Sequence, residues 1–237
     1  MSTPPQIEFE KHIESAKPHI VTFLNPYSYL IARDNLDTFK EFHSLNIDGK
    51  LLCLAFKLIG RHKQRISFDM TSLAPVVFDH ANKNSLSIFL VGGEPGIAEQ
   101  AAGEIRSKYT QIKFSGFQSG FFKNEEERNA AIIDIANSSA DIVICGMGTP
   151  LQEKFLVDLV NYGWKGLGYT CGGFLEQTSR KGLHYYPDSL NKLDLRWLYR
   201  IIEDPKLFKR YLLKYPQFFT HFIYDILKTG KHKQLSR

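Results

Sequence analysis

Cys53, Cys145 and Cys171 are the only cysteines in a chain of 237 residues, and they are far apart and odd in number. That excludes a disulfide framework. Each lies in an apolar or glycine-rich context, so all three are expected as reduced thiols of a cytosolic protein. No Cys-x-x-Cys pair or His/Cys cluster accompanies them, which argues against zinc, and Asp-x-Asp is missing too, so a paired-carboxylate metal site is unsupported. No run reaches the roughly 18–20 apolar residues that a membrane-spanning helix needs. The first residues, MSTPPQIEFEKHIES, show no basic segment followed by an apolar one, so no signal peptide is expected. Neither G-x-G-x-x-G nor a phosphate-loop Gly-Lys-Ser/Thr occurs, which disfavours hydride transfer with a dinucleotide and ATP hydrolysis.

What is present is a hydrophobic share of 43%, enough for a sizeable core, and a net charge of +5 that is unevenly spread. From Leu195 onward ten Lys/Arg face three Asp/Glu, a balance of +7, which leaves −2 for the preceding 194 residues. Only the C-terminal end calls for a polyanionic partner. The expected organisation is a core over 1–194 and a basic, aromatic, helical appendage over 195–237.

Apolar runs alternate with amphipathic segments along the core. HIVTF (19–23), Leu45 to Ile47, LSIFLVGG (86–93), IKFSG (112–116), DIVICG (141–146) and the apolar part of WKGLGYTCGG (164–173) read as strands. Helices are expected from Pro26 to about Phe42, over LLCLAFKLIG as a buried helix ending at Gly60, and over Met70 to Asn82. Others should follow Pro95, Asn124 and Pro150. This order implies an α/β fold, a Rossmann-like and mostly parallel sheet with helices on both faces. Ligands of such sheets bind outside the carboxyl ends of the strands, here Asn25, Asp48, Gly92-Gly93, Gly146 to Gln152 and Gly172-Gly173.

Two strand-to-helix turns, Gly92-Gly93-Glu94-Pro95-Gly96 and Gly146-Met147-Gly148-Thr149-Pro150, let backbone amides and a helix N-terminus approach phosphate. Taken singly, each is equally a tight turn. Gln152 and Glu153 fall in the first turn of the next helix. A glutamine there can bond sugar hydroxyls or a base edge, although alone it reads as a solvent-exposed residue. Asp48 before Gly49 is either a helix N-cap or a general base at a strand end.

Six segments in order and spacing, FLNPYSYLIAR, NIDGKLL with RISFDM, IFLVGGEPGIAE, GFQSGFF, DIVICGMGTPLQEKF and LRWLYRIIEDP…KRY, resemble the WecG/TagA/CpsF glycosyltransferases (glycosyltransferase family 26) over about Val21 to Tyr211. The resemblance implies a metal-independent, inverting transferase without a cofactor, whose donor substrate is a UDP-sugar. N-acetylmannosamine, its uronic acid or a glucose-type sugar would pass to an undecaprenyl-diphosphate-linked saccharide in teichoic acid, enterobacterial common antigen or exopolysaccharide synthesis. It implies Asp48 as the catalytic base, Asn25, Arg65 and Gln152 in the sugar pocket, and Arg200 and Arg210 at the leaving diphosphate. Gly92, Gly93, Gly146, Gly148, Thr149, Pro150 and Glu153 complete the expected donor site. Association of copies through the core is a further implication.

Phe23 stands where the family often has threonine, and Pro205-Lys206-Leu207 where it has Pro-x-Arg, which shifts one expected cation to Lys206, Lys209 or Arg180. The tail mixes Lys/Arg with Trp, Tyr, Phe and Leu, as expected of a segment lying on an anionic bilayer. The protein is therefore expected in the bacterial cytoplasm, peripheral on the inner face of the cell membrane. The same tail would suit nucleic acid, but that partner leaves the Asp-Gly and Gly-Thr-Pro-x-Gln-Glu motifs unexplained, and none is expected.

Overall fold

The computed structural model describes residues 3–183, 185, 199, 201–202, 208 and 210–235. Six strands form one sheet: β1 (His19–Leu24), β2 (Ser44–Ile47), β3 (Ser87–Gly92), β4 (Lys113–Gln118), β5 (Ile142–Gly146) and β6 (Leu167–Thr170). Their order across the sheet is β2-β1-β6-β5-β3-β4, and every pairing is parallel. The inner strands HIVTFL, SIFLVG and IVICG are buried almost throughout, as strands covered on both faces must be.

Side chains leave the sheet alternately toward two layers. Val21, Phe23, Ile88, Leu90, Ile142, Ile144 and Tyr169 enter one core. There they meet Phe78 and Ala81 of α5 (Leu73–Lys83), Ala101 and Ile105 of α6 (Ile97–Lys108), and Phe174 of α9 (Phe174–Lys181). Phe9 of α1 (Pro4–Glu14) joins the same layer, a helix and a contact that the sequence reading did not anticipate. Ile20, Phe89, Val91, Val143 and Cys145 enter the other core. They pack against Ile132 and Ile135 of α7 (Glu125–Asn137) and Phe155, Leu156 and Leu159 of α8 (Leu151–Asn161).

The expected helix from Pro26 is two, α2 (Pro26–Asp34) and α3 (Leu36–Lys40), broken at Asn35. The segment after Asp48 forms α4 (Lys50–Leu58), but it is not the buried helix that its composition suggests. Leu52 and Ala55 are buried, whereas Leu54 is 49% and Leu58 75% exposed. The covered face meets α10 (Tyr215–Leu235), whose Phe218 and Phe222 pack with Ile47, Leu52, Ala55 and Phe56 in a third cluster. Burying two phenylalanines contributes about 2–3 kcal/mol each. Arg33 of α2 also binds Asp225 of α10 through Nε at 2.7 Å, and Tyr29 donates to the same carboxylate at 2.8 Å. Part of the expected C-terminal appendage is thus seated on the core.

Candidate active site

β3 leads outward to β4, while its neighbour β5 leads the opposite way to β6, so the strand order reverses between them. The backbones approach closely here. A Cβ on Gly92, at φ +146°, would lie 2.3 Å from the Gly146 carbonyl oxygen, so only glycine is tolerated. Beside this point opens a cleft of about 1180 Å³, lined at its floor and walls by the strand ends. Asn25, Asp48, Arg65, Gly93, Gly146, Gly148, Thr149 and Gln152 all line it, so eight sequence-predicted positions converge. Gly172 and Gly173 line it as well.

Four helices begin at the cleft: α2 at Asn25, α4 at Gly49, α8 at Pro150 and α9 at Gly173. Their first residues Pro26, Lys50, Leu151 and Phe174 are part of the lining. Each start carries partial positive charge from its helix dipole, so the cleft favours an anion before any side chain is counted.

One wall is ionic. Arg65 is brought to the end of β2 by a parallel bridge with Ile47. Its Nε donates to the Asp48 carbonyl at 2.8 Å, and Nη2 reaches Asp48 Oδ1 at 3.0 Å, Asp69 Oδ2 at 2.9 Å and Ser67 Oγ at 2.6 Å. Burial pulls the guanidinium's pKa down, but Asp48 and Asp69 together outweigh it and hold the pKa above the ordinary value. Asp48 does not cap α4; Gly49 occupies that position and no side chain caps it. The carboxylate is instead one-third exposed to the cleft. Asp69 was missed as a site residue. It lies four residues after Arg65 in the quoted segment RISFDM, and it also accepts from Ser67 Oγ at 2.7 Å and the Thr71 amide at 2.8 Å.

The other wall is built from α8, the β6 turn and the start of α9. Gln152 is 4% exposed, which rules out the alternative of a solvated first-turn residue. Its Oε1 accepts from the Gly172 amide at 3.1 Å, and its Nε2 donates to Glu153 Oε1 at 3.0 Å, so it ties the α8 turn to the β6 turn. Gly92, Pro150 and Glu153 do not line the cleft. Gly92 is pressed against Gly146, and Glu153 points under α8 into the sheet, fully buried. Glu153 Oε1 accepts from Thr22 Oγ1 at 2.9 Å and Thr149 Oγ1 at 3.2 Å, while its Oε2 has no partner among the described residues. Burial raises its pKa above the ordinary value, against four hydrogen bonds that lower it.

Asn25 caps α2 with Oδ1, accepting from the Tyr27 and Ser28 amides at 2.9 and 3.0 Å, which leaves its amide nitrogen for the cleft. Cys171 lines the cleft too, but burial pushes its thiol up to about 12, so no thiolate nucleophile is offered. Tyr215, at the start of α10, reaches the lining, so the C-terminal segment does meet the mouth. Arg210 opens the π-helical turn Arg210–Lys214 just before it. Arg200, Lys206 and Lys209 lie outside the described residues. Arg180 is exposed and outside the lining, and it pairs at 2.6 Å with Glu176 of α9, which lines the cleft. Among the described residues no three His, Cys, Asp or Glu side chains converge as metal ligands, and no helix is long and apolar enough to cross a membrane.

The profile of the family described as "Glycosyl transferase WecG/TagA/CpsF family" matches residues 6–232. One similar protein is a UDP-Gal:alpha-D-GlcNAc-diphosphoundecaprenol beta-1,4-galactosyltransferase of Shigella boydii. It is 37% identical over 209 residues, covering 88% of this chain and 87% of its own. Another is an N-acetylglucosaminyldiphosphoundecaprenol N-acetyl-beta-D-mannosaminyltransferase of Bacillus subtilis (strain 168). It is 26% identical over 231 residues, covering 95% of this chain and 86% of its own.

Proposed function

The chain belongs to the WecG/TagA/CpsF family of glycosyl transferases, and from that premise we propose that it moves a hexose from a UDP-sugar to a diphosphoundecaprenol-linked N-acetylglucosamine. The observation that carries this reading is the meeting of a half-open carboxylate, Asp48, with four helix N-termini in one cleft. Asp48 takes the proton from the attacking acceptor hydroxyl as that oxygen meets the anomeric carbon, and a single displacement inverts the centre. Asn25 supplies a donor from its free amide nitrogen. Arg65 holds Asp48 in place, and Gln152 fixes the Gly172 turn against which the sugar would sit.

The departing diphosphate is met by the amides around Gly93 and Gly146 to Thr149 and by the start of α8. Arg200 and Arg210 are proposed to complete that site from the C-terminal segment, since arginine binds phosphate oxygens through a fixed fork. A metal is not required in this scheme. Asp48 and Asp69 are already bridged by the Arg65 guanidinium, which matches their charge.

The acceptor is embedded in the bilayer, so the protein would work on the inner surface of the cell membrane, in cell-envelope polysaccharide synthesis. α10 supports this placement. It turns Phe218 and Phe222 to the core and leaves Ile223, Tyr224 and Leu227 exposed on the opposite face, in the basic tail.

The test is a screen of UDP-sugars with a synthetic N-acetylglucosaminyl diphosphate lipid, UDP-galactose first and UDP-N-acetylmannosamine second. A β-linked product from an α-linked donor, formed in EDTA, is expected. No transfer from any UDP-sugar would overturn the reading, and strict Mg²⁺ dependence would overturn its metal-free form.

A further inference from the structure

Two diphosphates must be handled in this reaction, one leaving with the donor and one anchoring the acceptor to its lipid. They repel each other, so they need separate cationic sites on different sides of the reacting carbon. The turns at Gly93 and Gly146 to Thr149 serve the first. In a 4-hydroxyl acceptor, the attacked oxygen and the diphosphate stand on opposite sides of one pyranose. The second site must therefore lie about one sugar ring beyond Asp48, away from the glycine turns.

A recess of about 320 Å³ adjoins the cleft on its α4 side, where none of the glycine turns lines it. It shares Lys50, Leu54 and Arg65 with the main cleft, so the two spaces adjoin along α4 and Arg65. Lys50, Cys53, Leu54 and Lys57 recur at helical spacing on one face of α4, and the segment returning to Arg65 closes the recess with His62 and Lys63. Among the described residues no carboxylate lines it. The charge of Arg65 is matched by Asp48 and Asp69, so the sign of the recess is set by Lys57 and Lys63. Leu54 and Leu58 continue outward along α4 as an exposed apolar ridge beside the cations. A cationic recess adjoining the cleft that holds the base, and opening onto apolar side chains, suits a prenyl diphosphate.

Resting on the function proposed above, we propose that the recess of Lys57, His62 and Lys63 binds the diphosphate of the lipid-linked acceptor. Leu54 and Leu58 then receive the first prenyl units.

The test uses the full chain, with UDP-sugar as donor and three probes. These are N-acetylglucosaminyl diphosphate on a short water-soluble alkyl chain, the same sugar as a neutral alkyl glycoside, and phosphatidylglycerol vesicles without acceptor. The Lys57→Ala/Lys63→Ala variant should raise KM for the diphosphate acceptor by roughly tenfold per lysine, as expected when charge-assisted contacts to phosphate are lost. KM for the UDP-sugar and turnover of the neutral glycoside should stay within about twofold, and Lys57→Arg/Lys63→Arg should restore the acceptor KM. An unchanged acceptor KM, or an equal rise in donor KM, overturns the proposal. So does loss of vesicle binding with normal use of the soluble acceptor, because the recess would then be a bilayer contact. If the wild type uses no diphosphate acceptor at all, the parent function fails along with the recess. Wild-type transfer with an unaltered variant refutes the recess alone.

Discussion

Polar side chains gather at both ends of the sheet, and the two gatherings differ in what they face. At the carboxyl end, Asp48, Arg65, Asp69 and Asn25 stand around an open cleft with hydrogen-bonding capacity left over. At the amino end, α1 and the starts of β1 and β2 bring together three imidazoles. His19 lies between His12 and His43 with ring centroids at 4.9 and 5.0 Å. These groups answer one another. His12 contacts Glu8 and the Tyr169 hydroxyl at 3.3 Å each, His19 Nδ1 meets Ser15 Oγ at 2.6 Å, and His43 Nδ1 accepts from the Ile20 amide at 3.2 Å. One cluster is arranged around a space for something else; the other closes on itself and holds α1 to the sheet. Substitutions at the first should alter turnover with little effect on stability, and substitutions at the second the reverse.

The sharpest way to break that contrast is Asp48→Asn. It keeps the shape and the contact with Arg65 but removes the base, so kcat should fall at least ~100-fold. UDP binding and the melting temperature should hardly move. A normal kcat, or a large loss of stability, would put Asp48 in the structural class with the histidines. Arg65→Lys comes next. A single ammonium cannot meet the Asp48 carbonyl, the Asp48 carboxylate and Asp69 together, as the guanidinium does. A loss of roughly tenfold in kcat is expected, in the range of a displaced charge-assisted contact. Full activity of the lysine variant would show that charge alone suffices at that wall.

How far the contrast was readable beforehand depends on what made each feature. The parallel sheet was legible because HIVTF, LSIFLVGG and DIVICG are apolar runs too short for helices and separated by helical spacing. The carboxyl-end site followed from it, since β/α topology places Asn25, Asp48 and the glycine turns at one edge. Asp69 was not found, because a carboxylate four residues after Arg65 looks like any surface pair until the Ile47–Arg65 bridge turns both inward. Gln152 was expected at the crevice, but its near-complete burial has no local signal, because it comes from the β6 turn folding over it. The amphipathicity of α4 was masked by its all-round apolar composition, and only the seat of α10 decides which leucines are covered. The imidazole stack joins residues 12, 19 and 43 through tertiary packing, and no local pattern announces it.

Glu153 tests the boundary between the two classes, for it lies behind the cleft but is closed like the amino-end cluster. Desolvation raises its pKa, so the folded state favours the neutral acid. Its contribution is fullest below the usual carboxylate range and falls as pH rises toward the raised folded value. Glu153→Gln keeps an oxygen for Thr22, Thr149 and Gln152 and puts an amide where Oε2 lacks a partner. Activity within about threefold of wild type is expected, since the amide preserves the hydrogen bonds that position the turn. Thermal stability should equal or exceed that of wild type, with the margin growing as pH rises above the usual carboxylate value. A collapse of kcat without a change in stability would move Glu153 to the reacting side.

The smallest effect belongs to the amino end, and it is a matter of acid. Burial, with the nearby charges of His12, His43 and Lys17, pushes His19 down to about 4, while Glu8 acts weakly the other way. Between about pH 6.5 and 4 the unfolded chain therefore binds a proton at His19 that the folded chain refuses, and stability falls as pH falls. Glu8 extends the decline. Its hydrogen bond with His12 holds the carboxyl down to about 2, so its contribution is complete above about 4.5 and is lost as pH drops toward 2. His19→Asn retains a partner for Ser15 and cannot titrate. Urea melts across pH 7 to 4.5 should flatten by about 1–2 kcal/mol relative to wild type, after allowance for solvent screening, while kcat at pH 7 stays the same. A variant with the wild-type pH slope would remove His19 from the account. A variant that lost turnover at pH 7 would mean that the two ends of the sheet are coupled.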